Sequence, residues 1–114
     1  MEENAAMSSN DNLRKRESVR IILDPPTFSP SAEMRRDYLK RRMAELEAML
    51  DSAKSGEWKP VVNVANHVRG TGAMYGFGNI GLAAENLVKA VQNGEPKSLE
   101  FMDVYAQVVR ESYV

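Results

Sequence analysis

The sequence predicts an all-α protein, an antiparallel four-helix bundle with an N-terminal extension. Three observations predict it. Four stretches carry apolar residues at steps of three and four, the spacing of one helix face. Glycine and proline separate them, at Gly56, in "GFGN" and in "QNGEP". No convincing strand and no internal repeat competes with that pattern. Short connections between amphipathic helices favour antiparallel neighbours. The 114 residues suit one domain, read as an extension over 1–29 and a bundle over 30–114.

Residues 1 to 12 are polar and unpatterned, and read as disordered. "LRKRESVRIIL" follows, with Arg14, Lys15, Arg16 and Arg20 ahead of Ile21, Ile22 and Leu23. It reads as a solvated basic tail whose apolar end docks on the body; a contact site for another protein is the sharper alternative. Pro25, Pro26 and Pro30 exclude a regular element across "DPPTFSP". Ser29 then reads as an N-cap, with Pro30 at the first helical position.

The first helix carries Leu39, Met43, Leu46 and Leu50 on one face. Arg35, Arg36, Lys40, Arg41 and Arg42 crowd its first half, and Glu45, Glu47 and Asp51 follow. The charge reads as a solvated surface, with a basic patch for an acidic partner as the alternative. Gly56 reads as a left-handed cap. A second helix starts near Trp58, with Pro60 in its first turn, and carries Val61, Val64, Ala65, Val68, Gly72 and Tyr75. The third carries Ile80, Ala83, Ala84, Leu87 and Val91, and the fourth Leu99, Met102, Tyr105, Ala106 and Val109.

Composition removes several classes of function. Hydrophobic residues are 43% of the chain, enough for one modest core and too little for a cofactor domain beside a substrate domain. With no cysteine and one histidine, there is no thiolate zinc site, disulfide or cysteine nucleophile, so no metal and no cofactor is expected. A net charge of -1 gives no pull toward nucleic acid. No apolar run approaches the ~18 residues of a membrane span, and the polar N-terminus lacks the features of a secretory signal. The expectation is a soluble, cytoplasmic protein, with no membrane or nucleic-acid partner. The oligomeric state stays open, a homo-oligomer included.

"GTGAMYG" invites a phosphate-loop reading. No Gly-Lys-Ser/Thr follows it, no strand–helix–strand unit surrounds it, and no acidic residue closes a second strand to hold a ribose. The chemistry therefore turns on where His67 points. With about 100° per residue, the second helix's apolar positions span an arc of roughly 100°. Asn63, Asn66 and Gly70 project away from that arc, and His67 falls on its flank. The expectation is that Asn66 faces solvent most directly while His67 points sideways.

Ala65, Asn66, His67, Val68, Arg69, Gly70 and Thr71, with Gly76 six residues past Gly70, resemble the signature of the histidine phosphotransfer domain, a four-helix module of phosphorelays. That signature has the form Ala-His-x-Leu/Ile-Lys-Gly-Ser/Ala. "SGEWKPVVNVAN" is similar to the family's approach to its active helix. "GFGNIGLAAENL" is similar to its third-helix pattern, with Ile80 and Leu87 as core positions. The resemblance covers residues 31 to 112. It implies a module that exchanges a phosphoryl group between an exposed imidazole and an aspartyl phosphate on a response-regulator receiver domain. The partner would be such a receiver or a sensor kinase, and the magnesium would belong to the receiver.

In this register the acceptor position holds Asn66, and His67 takes the variable position after it. A carboxamide nitrogen is delocalised into its carbonyl and cannot replace an imidazole as nucleophile, although it can still donate a hydrogen bond. The resemblance thus implies a receiver-docking set of Asn63, Asn66, His67, Arg69, Gly70 and Thr71, without phosphate acceptance. Two alternatives remain: an active phosphotransfer protein with His67 as acceptor, and a plain helical interaction protein.

Overall fold

The computed structural model describes residues 28–113 and is an all-α four-helix bundle. Helix α1 spans Ala32–Lys54, α2 Trp58–Thr71, α3 Gly78–Gln92 and α4 Ser98–Ser112, with a 3-10 turn at Ala73–Tyr75. No strand occurs among the described residues. The extension before Phe28 lies outside them, including the basic and apolar run from Arg14 to Leu23. Helix α1 packs on α2 and α4, and α3 packs on the same two, which closes the bundle.

The helix boundaries follow from local chemistry. Ser31, in extended backbone, accepts the Met34 amide on its hydroxyl at 3.0 Å and is the cap of α1. The cap expected at Ser29 is thus two residues late. Pro30 lies ahead of the cap, where its missing N–H is not needed. At the other end Gly56 has φ +79, the expected left-handed cap. The Gly56 amide bonds to the Ala53 carbonyl, and the Glu57 amide to that of Ser52. Gly76 and Gly94 repeat this arrangement after the 3-10 turn and after α3.

Val61, Ala65 and Val68 of α2 meet Ile80, Ala84, Leu87 and Val88 of α3 and Met102, Tyr105, Ala106 and Val109 of α4 in one buried cluster. Each large aliphatic side chain so buried contributes roughly 1.5–3 kcal/mol. Several core expectations need correction, Val64, Tyr75 and Val91 being only half-buried. Leu99 is 45% exposed, because Ser98 takes the inward position in the first turn of α4 and bonds to the Glu95 carbonyl at 2.8 Å. The buried face of α1 also lies elsewhere. Leu39 and Leu46 are inside, but Met43 and Leu50 are only half-buried. Tyr38, Arg42, Met49 and Ala53 complete that face, which is turned by about 60° from the expected one. Arg42, placed by sequence on a solvated surface, is 2% exposed.

Candidate functional site

Helix α2 carries the candidate residues, and its neighbours determine what each can reach. Its fully buried positions are Val61, Ala65, Val68 and, just past its end, Gly72. The centre of that face puts Asn63 and Gly70 almost opposite it, at about 170°. Asn66 and His67 lie at about 130° on either side of this outward ridge. Arg69 and Thr71 flank it near the end of the helix.

Equal angles do not give equal exposure. His67 is exposed and Asn66 half-buried, the reverse of the expected order. At the end of the buried face α3 comes very close. A Cβ on Gly72 would lie 2.7 Å from the Gly81 nitrogen and 2.9 Å from its Cα. A Cβ on Gly81 would lie 3.8 Å from the Arg69 carbonyl. On His67's flank α1 stands further off. The expected rotation of Asn66 straight outward counted Val64 and Tyr75 as core, and both are half-buried. Dropping them moves the centre of the buried face and makes the two flanks equivalent in angle.

The space between α1 and α2 is a cavity of about 260 Å³, lined by Met34, Asp37, Tyr38, Arg41, Arg42, His67, Thr71 and Tyr75. Its walls are held by a continuous set of contacts. Arg42 donates through Nε and Nη2 to the two carboxylate oxygens of Glu45, each at 2.8 Å. Its guanidinium carbon lies 4.6 Å from the centre of the Tyr38 ring, a cation–π contact. Tyr38 stacks on Tyr75 at 4.4 Å, and Phe28 meets Tyr75 edge-on at 5.4 Å. The Thr71 hydroxyl donates to the His67 carbonyl at 3.0 Å. With its only proton used there, Thr71 accepts from the Tyr38 hydroxyl at 2.8 Å.

Two buried groups near this cluster have shifted acidities. Burial acts to lower the pKa of Arg42, but its paired hydrogen bonds to the Glu45 carboxylate and the negative charge there outweigh it and hold the guanidinium above its ordinary value. Burial also pushes the Tyr105 phenol well up; the Glu45 charge adds to this and the Arg42 charge opposes it. Among the described residues the Tyr105 hydroxyl has no hydrogen-bond partner.

No family model, no curated protein and no solved structure matches the chain. The site is therefore characterised by its own geometry. Among the described residues no three His, Asp or Glu side chains gather as a metal would need, and no helix is long and apolar enough to cross a membrane.

The structure brings Asn63, Asn66, His67, Arg69, Gly70 and Thr71 onto one outward ridge and its two flanks. Tyr38 and Tyr75 line the cavity as well, and Arg42 joins them from the basic run of α1. Tyr38 and Arg42 share a stripe of α1 with Met49 and Ala53, at steps of four, seven and four, which the more regular aliphatic stripe beside it masks. Spacing alone puts Tyr75 on the core face of α2, whereas the 3-10 turn places it at the cavity.

Proposed function

We propose that this chain is a phosphorelay docking module of the histidine phosphotransfer type, whose α2 ridge engages response-regulator receiver domains without accepting phosphate. The observation that carries this reading is Gly70. Glycine costs about 1 kcal/mol relative to alanine in a helix interior. Gly70 is not among the glycines with positive φ, and nothing described lies within 4 Å of where its Cβ would be. Neither the backbone nor internal packing therefore requires glycine at this position. A bare backbone at the crest of an exposed ridge suits the close approach of another protein. Asn66 stands one turn before it, in the register of the acceptor, and offers an amide in place of a nucleophile. Arg69 adds a positive charge beside the ridge for an acidic partner.

A second reading is favoured by one observation, the exposure of His67 at the cavity rim. An accessible imidazole nitrogen there has the chemistry of a phosphoryl acceptor, and the chain would then be an active carrier.

Incubation with radiolabelled phospho-receiver domains separates the readings. The parent is expected to bind and stay unlabelled, and Asn66→His is expected to gain an acid-labile, base-stable phosphate. Label on the parent that disappears in His67→Gln would establish the second reading. Absence of any receiver binding at high protein concentration leaves a plain helical interaction protein.

A further inference from the structure

Tyr38 touches every piece that frames the ridge. Its hydroxyl reaches Thr71 at the end of α2, its ring stacks on Tyr75 in the 3-10 turn, and Phe77 ahead of α3 lies parallel at 6.0 Å. Arg42, held by Glu45, fixes the ring from within α1. The only tie recorded by a side-chain hydrogen bond between α1 and α2 among the described residues is that from Tyr38 to Thr71. Thr71 in turn bonds to the His67 carbonyl, so the tie ends on the backbone of the ridge itself.

We infer that Tyr38 is a positioning residue for the docking ridge: its hydroxyl, through Thr71, holds the last turn of α2 against α1 so that Asn66, His67 and Gly70 present one fixed surface. This rests on the docking reading above. The physical basis is the difference between stacking and hydrogen bonding. Stacked rings tolerate small slides, whereas a hydroxyl pair at 2.8 Å is directional and fixes separation. The cavity next to it leaves the α1–α2 flank without the close packing that would otherwise set that separation. Preorganising a surface improves binding by reducing the ordering cost at association.

Tyr105 supplies the control. It is equally a buried tyrosine, at 0% exposure, but its hydroxyl has no partner among the described residues. Tyr38→Phe and Tyr105→Phe each delete one oxygen and keep the ring. Two readouts distinguish a positioning role from a merely stabilising one. The first is amide hydrogen exchange. The amides of Gly72, Tyr75 and Phe77 are bonded to the Val68 and Gly72 carbonyls at the end of α2 and report on that turn. Tyr38→Phe is expected to speed their exchange roughly three- to tenfold, the range of one neutral hydrogen bond, while amides in the middle of α4 stay at the parent rate. Tyr105→Phe is expected to leave the pattern unchanged. The second is affinity for an isolated receiver domain that binds the parent, by calorimetry well below the melting temperature. Tyr38→Phe is expected to weaken binding by a similar factor and Tyr105→Phe to leave it unaltered.

Exchange that rises uniformly through the bundle, or not at all, overturns the inference. So does a Tyr38→Phe protein that binds the receiver as tightly as the parent. A parent that binds no receiver overturns the docking reading underneath, an outcome visible before any variant is measured.

Discussion

The contacts of α2 with its two neighbours are built on opposite plans. Toward α3 the helix presents Gly72 to Gly81, and the backbones approach until a single added methyl would collide. Toward α1 it presents His67 and Thr71 to a cavity walled by aromatic rings, arginines and a carboxylate. The first flank determines where the helix lies by excluded volume and has no room for chemistry. The second determines it by a few directional contacts and leaves side chains accessible. The ridge is thus held by backbone packing on one side and by a few directional bonds on the other.

The contrast can be broken from either side. On the α1 flank the largest effect is expected from Arg42→Ala. It strips Glu45 of a bidentate partner and Tyr38 of its cation, and should cost about 3 kcal/mol in urea unfolding. A loss under ~1 kcal/mol would mean that the cluster contributes little to stability. On the α3 flank Gly72→Ala should cost about 2 kcal/mol, because the added carbon meets backbone that cannot rotate away. Melting at the parent temperature would show that the α2–α3 approach is looser than described.

Smaller still is the effect of Tyr105→Phe. At neutral pH it should be neutral or stabilise by up to ~1 kcal/mol, since an unpaired buried hydroxyl is removed. Its pH dependence is more telling. The folded-state pKa of Tyr105 lies above its unfolded value, so its contribution is fully present below about pH 10 and is lost as pH rises beyond. The parent's denaturation midpoint should therefore fall more steeply above pH 10 than that of Tyr105→Phe. Parallel curves would place the phenol in water.

The bundle was legible in the sequence because its signals are local. Gly56 and Gly94 stop helices through backbone conformation alone, and Pro60 marks a first turn wherever it occurs. The rotation of α1 was not legible. Leu39, Met43, Leu46 and Leu50 make a complete apolar stripe, so nothing local demanded that Tyr38 and Arg42 turn inward. Arg42 is tolerated inside only because Glu45 and Tyr38 meet it there, a condition set by tertiary packing. The ridge was half-legible: Asn63 and Gly70 follow from helical angle. The order of exposure of Asn66 and His67 does not, because both stand at the same angle from the buried face.

The most direct measurement of the central claim, that the α2 ridge is kept bare for a partner, is Gly70→Leu read in two ways. A Cβ there has nothing described within 4 Å, and the substitution should leave the urea midpoint unchanged or higher, since leucine is the better helix former. Affinity for a receiver domain that binds the parent should fall at least tenfold. A variant that binds as tightly as the parent, or one that loses stability instead of binding, would contradict the account.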